Sequence, residues 1–440
     1  MGNVSCTTYI DMSNVYRTAE ENGASVEELI ILCCIRLHAG THEVDQLNKL
    51  LQSNVEWDKL IQLARAWYFY LSPLLYMQLS TVCPTLVPLA VMERLRTDFQ
   101  SNAKHNAMLI RELLTILERF NREGIPIIPY KDPLLARKVY GNVGLRVFTD
   151  LDLFIHARDI ARATEVLRTQ GYILMPQCID TIGDALDVAT ARDRIFAKDP
   201  AEFLRRAAND RVRRPFDFAN DRGGKLELTW YLLPRMWSVT RNNDQLWARA
   251  RKEAVDGTHV CLFSPEDSLL LACIHGVKHG WGWWNLFNDV AGLITADTDL
   301  NWDQLVTIAR QSGCLRILTI GLLLANEVAG VPLPEDIRQR LDHDPRTRAY
   351  VQRVVLRLFQ ETTSKSDLAA TNPDLSGFHS MFMQERVSDK CRSLLRAMML
   401  PDRSDVEMLP ALASHTKVWY LLHPVLVVVN RLQYRLKPRA

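Results

Sequence analysis

Hydrophobic and polar positions recur along this chain with two different periods, and the change of period divides it. Up to about residue 120 the apolar residues repeat every three or four positions, the spacing of amphipathic helices. "SVEELIILCCIRL" predicts a helix with Ser25 as N-cap and Glu28 three residues on, a capping box. "VEWDKLIQLARAWYFYL" sets Trp57, Leu60, Leu63 and Ala64 on one face. "FQSNAKHNAMLIRELLTILERFNREG" does the same with Leu109, Leu113 and Leu117, and stops at Gly124.

After Gly124 the pattern shortens. "IPIIPY" predicts a strand ending at Lys131, and "DPLLARKVYGN" a brief helix with Pro133 near its start and Gly141 and Asn142 as its stop. In "RVFTDLDLFIHARD" the alternation sets Phe148, Asp150, Asp152 and Phe154 on one strand face and Leu151, Leu153 and Ile155 on the other. A helix with Ile160, Ala163 and Leu167 inward follows, stopped by Gly171, and then a strand at "YILM". Residues 176–222 are polar, mixed in charge and read as partly helical. "KLELTWYLL" returns to strand period, with Leu226, Leu228 and Trp230 opposite Glu227 and Thr229. From about residue 236 the chain reads as helical to its end, most sharply at "SPEDSLLLACIHGVKH", where Ser264 is the N-cap and Pro265 the first helical residue. The expected architecture is α+β. A small mixed β-sheet core over residues 122–235 is flanked by an N-terminal helical region, 1–121, and a C-terminal helical domain, 236–440.

Composition narrows the class without naming it. The 440 residues are 48% hydrophobic and 24% charged, with a formal net charge of +2. That is an ordinary globular balance, and it argues against a broad nucleic-acid or anionic-membrane surface. Nine cysteines in irregular spacing, with no C-x-x-C pair, predict reduced thiols and a cytoplasmic protein. The start "MGNVSC" lacks a signal-peptide pattern, and its loose likeness to an acylation signal carries little weight. "YLSPLLYMQLSTVCPTLVPLAVM" is interrupted by prolines and reads as packed helices. "VWYLLHPVLVVV", with His423 and Pro424, is about half a spanning length. A docked terminal helix is preferred there to a membrane-seeking tail.

The chemistry of interest lies in the Asp150/Asp152 pair. Ionised carboxylates are costly to bury unless a cation meets them, and this pair stands inside an apolar run. Two further D-x-D triplets, Asp297/Asp299 and Asp342/Asp344, sit in polar turn-like surroundings that solvation explains. On a strand, positions i and i+2 project from one face roughly 6.5–7 Å apart, close enough to share a divalent cation. Hard oxygen donors favour magnesium or manganese over zinc. A solvent-facing strand edge is the alternative, weighted equally on the triplet alone. Lys131, Arg146 and Glu227, each at a strand or its end, shift the balance toward a site.

The run from Gly124 to Tyr172, "GIPIIPYKDPLLARKVYGNVGLRVFTDLDLFIHARDIARATEVLRTQGY", resembles the uncharacterised nucleotidyltransferase family of the polymerase-β-like superfamily. The likeness extends to "EWDKLIQLARAWYFYLSPLLY", "NAMLIRELLTILERFNREGI", "LELTWYLL", "SPEDSLLLACIHGVKHGWGWWNLFNDVAGLI" and "NWDQLVTIARQSG", covering most of residues 55–315. It departs at Lys131-Asp132, where the family has Lys-Gly, and at Thr229, where the family has His. The resemblance implies that Asp150 and Asp152 hold Mg2+ or Mn2+, with Glu227 as the third ligand or the general base. It implies that Lys131 and Arg146 stabilise the phosphates of a nucleoside triphosphate, and that a nucleoside monophosphate passes to an acceptor, a small molecule, modified peptide or protein. It places His275, Lys278 and Asp289 in the cleft as further contacts. Asp289 would orient His275 or Lys278 there or else face solvent.

Other features have plainer readings beside the functional ones. His275 and His279, at i and i+4 of a helix, have a zinc-compatible spacing but no third ligand at a fixed offset, so packing or substrate contact is preferred. "GWGWW" suits a hydrophobic anchor better than a base-stacking surface. Arg205, Arg206, Arg211, Arg213 and Arg214 form a solvated helix face or a clamp for an anionic acceptor. Two rival functions remain at this stage: a glycosyltransferase using D-x-D for a nucleotide sugar, and a non-catalytic nucleotide-binding protein on the same fold.

Overall fold

A computed structural model describes residues 16, 19–21, 23–37, 40–66, 70–175, 215–232, 243–297, 299–341, 344–360 and 382–399. The arginine cluster at 205–214, the tail around His423 and Pro424, the first residues and Asp342 lie outside these.

The N-terminal helices are α1 (Val26–Cys34), α2 (Thr41–Leu51), α3 (Trp57–Arg65), α4 (Ser72–Val82) and the long α5 (Leu89–Arg122). Then follow β1 (Ile127–Pro129), α6 (Pro133–Tyr140), β2 (Leu151–Ile155), α7 (Ile160–Thr169), β3 (Ile173–Leu174), β4 (Phe216–Ala219) and β5 (Lys225–Thr229). After α8 (Asn243–Arg249) come β6 (Arg251–Val255) and β7 (Thr258–Leu262). The remaining helices are α9 (Pro265–Lys278), α10 (Trp284–Ala296), α11 (Trp302–Ser312), α12 (Leu315–Glu327), α13 (Glu335–Leu341), α14 (Pro345–Gln360) and α15 (Val387–Met399).

The fold is α+β, and the chain divides into two compact units. The first comprises Met1–Ile110, Pro133–Phe148 and Pro265–Leu375, and the second Arg111–Asp132, Thr149–Ser264 and Ser376–Ala440. In the first unit the capping box forms as the sequence predicts. Ser25 accepts from the Glu28 backbone N–H, and Glu28 in turn accepts from that of Ser25 at 2.7 Å. Helices α9, α10 and α12 pack against one another, and α10 also packs on α6. The last contact requires a glycine, because a Cβ on Gly292 would stand 2.0 Å from Val139 Cγ1.

The second unit is built on a mixed five-stranded sheet in the order β1-β2-β5-β4-β3. β2 is parallel to β5 and antiparallel to β1, and β4 is antiparallel to both β5 and β3. β2 is buried along its whole length, as befits a strand with neighbours on both edges. The hairpin β6–β7 adds a separate two-stranded sheet.

Three expectations are corrected here. The stretch after residue 236 is not helical throughout, since it contains the β6–β7 hairpin. Asp256 and Gly257 at its turn both take positive φ, 49° and 84°, the backbone a two-residue hairpin requires. The polar segment 176–222 contains a strand, β4, whose Phe216 and Phe218 are buried while Asp217 and Ala219 are half-exposed. The regular part of β2 begins only at Leu151, so Phe148 and Asp150 precede the strand. Its ladder starts with Leu151 opposite Leu226, where β5 itself emerges from the Gly223–Gly224 turn. The described cysteines are free thiols, and no described helix is long and apolar enough to cross a membrane.

Candidate active site

Lys131, Asp150, Asp152 and Glu227 meet in the second unit, and strand register brings them there. Asp152 and Glu227 are Cα partners on the parallel pair β2–β5. Successive strand residues alternate faces, so partners in register share a face. Their carboxyl groups are within hydrogen-bonding reach of each other, and the Asp152 carboxyl is pushed up to about 6. Burial is the main cause, opposed by the Lys131 charge and reinforced by Glu227. Lys131 Nζ lies 3.3 Å from Asp152 Oδ2. Asp150 precedes the strand and accepts from Thr149 Oγ1 at 2.9 Å. Its carboxyl is raised too, by burial and then by the charge of Asp152.

Lys131 reaches Asp152 by way of an unusual backbone. Its φ is +53°, a left-handed conformation that costs a non-glycine residue about 1–2 kcal/mol. The ammonium lies back over the Tyr130 ring, 4.9 Å from its centroid. Strain of this kind persists where surrounding contacts over-determine it, and it concentrates at functional sites. Asp132, which adds a negative charge beside Lys131, is 2% exposed. It stands immediately before Pro133, the first residue of α6, and Asp followed by Pro is a favoured helix start. Thr229 is also buried, and its hydroxyl closes a local turn by donating to the Tyr231 carbonyl at 2.8 Å.

Asp152 and Glu227 bring two carboxyl groups into hydrogen-bonding contact, and Asp150 feels the charge of Asp152; carboxylate oxygens are the kind of donor that a hard divalent cation takes. In the arrangement described, Lys131 provides positive charge at Asp152. Among the described residues no three His, Cys, Asp or Glu side chains stand grouped as a ready metal site. Asp297 and Asp344, from the other two triplets, make structural contacts. Asp297 pairs with Lys138 at 2.7 Å. Asp344 accepts from Thr347 Oγ1 at 2.9 Å and from the Arg346 backbone N–H at 3.0 Å, at the start of α14.

Arg146 and Asp289 belong to the first unit, where they form a buried pair. The guanidinium donates to both carboxylate oxygens, Nε to Oδ1 and Nη2 to Oδ2 each at 2.8 Å, and the side chains are 7% and 6% exposed. Tyr140 also donates to Asp289 Oδ1, at 2.7 Å, and burial followed by the Asp289 charge holds that phenol well above its ordinary range. The Arg146 guanidinium lies 4.2 Å from the Phe148 ring centroid. Its backbone is held as firmly, since the Asn102 and Asn106 amides both donate to the Arg146 carbonyl, at 3.0 and 2.7 Å. Asp289 thus pairs with Arg146, where His275 or Lys278 was the expected partner.

His275 and Lys278 occupy the last turns of α9, the histidine half-exposed and the lysine exposed. The His275 and His279 rings meet edge to face with centroids 4.5 Å apart, and His279 stacks on Trp283 at 4.1 Å. Trp281 is fully buried, lying flat on Gly276 with its indole 2.4–2.5 Å from where a Cβ would be, so this tryptophan is an anchor. Sequence reasoning passed over Tyr130 and Tyr140. Tyr130 ends an apolar run with a polar tip, the one local signal for a buried donor, whereas Tyr140 follows Arg137 and Lys138 and carries no such signal.

The family described as "Uncharacterised nucleotidyltransferase" matches residues 53–330, well over half of the 440. No curated protein and no solved structure matches the chain.

Proposed function

Because this chain belongs to the uncharacterised nucleotidyltransferase family, we propose that it moves a nucleoside monophosphate from a nucleoside triphosphate to an acceptor with the help of Mg2+ or Mn2+. The single observation that carries this reading is the register of Asp152 with Glu227. It sets two carboxyl groups side by side with Asp150 adjoining and Lys131 on one of them. Asp150, Asp152 and Glu227 would hold the metal, which when bound lowers the pKa of a hydroxyl and offsets triphosphate charge.

The chain's own residues supply the remaining chemistry. Glu227 takes the proton of the acceptor hydroxyl as its oxygen bonds to the α-phosphorus. The bond from that phosphorus to the bridging oxygen breaks, and pyrophosphate leaves with the electron pair. Lys131, whose ammonium is a compact mobile charge, neutralises the triphosphate. Arg146 and Asp289 serve as a positioning pair that fixes the backbone leading to Phe148. His275 and Lys278 have no assigned step. The acceptor is a small molecule, modified peptide or protein, and the place of action the cytoplasm.

The test is thermal stability of the purified chain with Mg2+ or Mn2+ and each triphosphate in turn, alongside Asp150→Asn/Asp152→Asn. A rise in Tm with metal and triphosphate together, lost in a variant that stays folded, supports the reading. An equal rise in both proteins defeats it. A response to sugar-diphosphate nucleotides over plain triphosphates would instead favour glycosyl transfer.

A further inference from the structure

We propose that Tyr130 is the positioning residue of the carboxylate pair, tying the orientation of Glu227 to the strand that carries Asp152. Its two polar groups reach different strands. The backbone N–H donates to the Asp152 carbonyl at 3.0 Å, one step beyond the last β1–β2 partners, Pro129 and Leu153. The phenol donates to Glu227 Oε1 at 3.4 Å. One residue therefore bridges β2 through its backbone and β5 through its side chain.

The ring is held so that this donation has a direction. It meets Phe263 edge to face, with centroids 6.2 Å apart and planes at 70°. Phe263 in turn packs on Phe154 at 5.6 Å, two residues along β2 from Asp152 and on the same face. Lys131 covers the ring from the side of its ammonium. An ordinary phenol is protonated at physiological pH, so it is available as a donor.

The Glu227 carboxyl reaches that of Asp152, and a fixed donor on it sets which way it faces. The Tyr130 contact is 3.4 Å, at the long end of hydrogen-bonding range. Groups that orient a metal-binding carboxylate typically matter tenfold to a hundredfold in metal affinity or activity. The inference rests on the reading that Asp152 and Glu227 hold a divalent cation.

The experiment is Tyr130→Phe, with Mn2+ binding followed by calorimetry beside the native chain and Asp150→Asn/Asp152→Asn. The variant keeps the ring and its packing, so Tm in chelator should not fall. Affinity for Mn2+ should drop roughly tenfold. Unchanged Mn2+ affinity overturns the proposal, because a purely structural tyrosine predicts that result. If the native chain and the aspartate variant bind Mn2+ alike, the metal reading itself fails. Tyr130 is then judged by a crystal structure of Tyr130→Phe in chelator. Glu227 turned away from Asp152 upholds the positioning role, and Glu227 in place overturns it.

Discussion

Asp152 on β2 and Glu227 on β5 are partners in parallel register, and their carboxyl groups are close enough to share a proton. Two acids in that relation resist ionising together. The Asp152 carboxyl, ordinarily near 3.8, is pushed to about 6 by burial, with the Lys131 charge acting against and Glu227 with it. The pair therefore takes up a proton or a cation readily, and the predictions below follow from this and from the buried contacts around it.

In chelator, stability should fall as pH rises from about 4 to about 6. The folded Asp152 binds its proton more tightly than the unfolded one, so the native state holds more protons in that window and loses its advantage as pH increases. Denaturant unfolding at several pH values should show the native chain losing stability relative to Asp152→Asn across that window, and saturating Mg2+ should remove the loss. Parallel pH profiles for the two proteins would contradict it.

Lys131→Ala should weaken triphosphate binding by about 1.5–3 kcal/mol, the range for a charged hydrogen bond. Affinity for Mn2+ alone should hold or rise, because the substitution removes the ammonium that competes for Asp152. Calorimetry with tripolyphosphate and with Mn2+ separates the two effects. A fall in metal affinity would mean that Lys131 supports the carboxylates instead of competing at them.

Glu227→Gln preserves size and most hydrogen bonding while removing the charge. Nucleotide binding should survive. Pyrophosphate release with a competent acceptor should fall by two orders of magnitude or more, about 3 kcal/mol in barrier. A variant that transfers normally would remove Glu227 from the reaction.

Asp289→Asn leaves the buried Arg146 guanidinium without its counter-ion. Breaking a buried pair from one side costs about 3–5 kcal/mol, which should appear as a clear loss of Tm. Arg146→Met/Asp289→Leu, which removes both charges, should be less damaging than Asp289→Asn. Equal damage from the single and double changes would show that shape at this position outweighs charge.

Gly292→Ala should destabilise by about 1–3 kcal/mol, the cost of overpacking, because the added methyl overlaps Val139. Val139→Ala in the same chain should return part of that loss. Additive losses in a double-mutant cycle would place the strain elsewhere.

Local pattern alone determined much of this protein. The helices before residue 122, the capping box at Ser25, the strand through Asp152 and the strand through Glu227 are all written in contiguous residues, because helix and strand periods and caps act over a few positions. The aspartate triplet stood out for the same reason: its neighbours are apolar, and burial of charge demands a partner. What local pattern could not supply was partnership across the chain. Phe216 and Phe218 alternate as a strand only in a short stretch after a long polar segment, and the Asp256-Gly257 turn interrupts residues that otherwise read as helical. Tertiary structure alone decided that β2 and β5 lie parallel in the register that sets Asp152 against Glu227, that Tyr130 bridges the two, and that Arg146 faces Asp289. Each of these depends on packing between segments far apart in sequence, and a one-residue slip in register would turn every side chain of a strand to the opposite face.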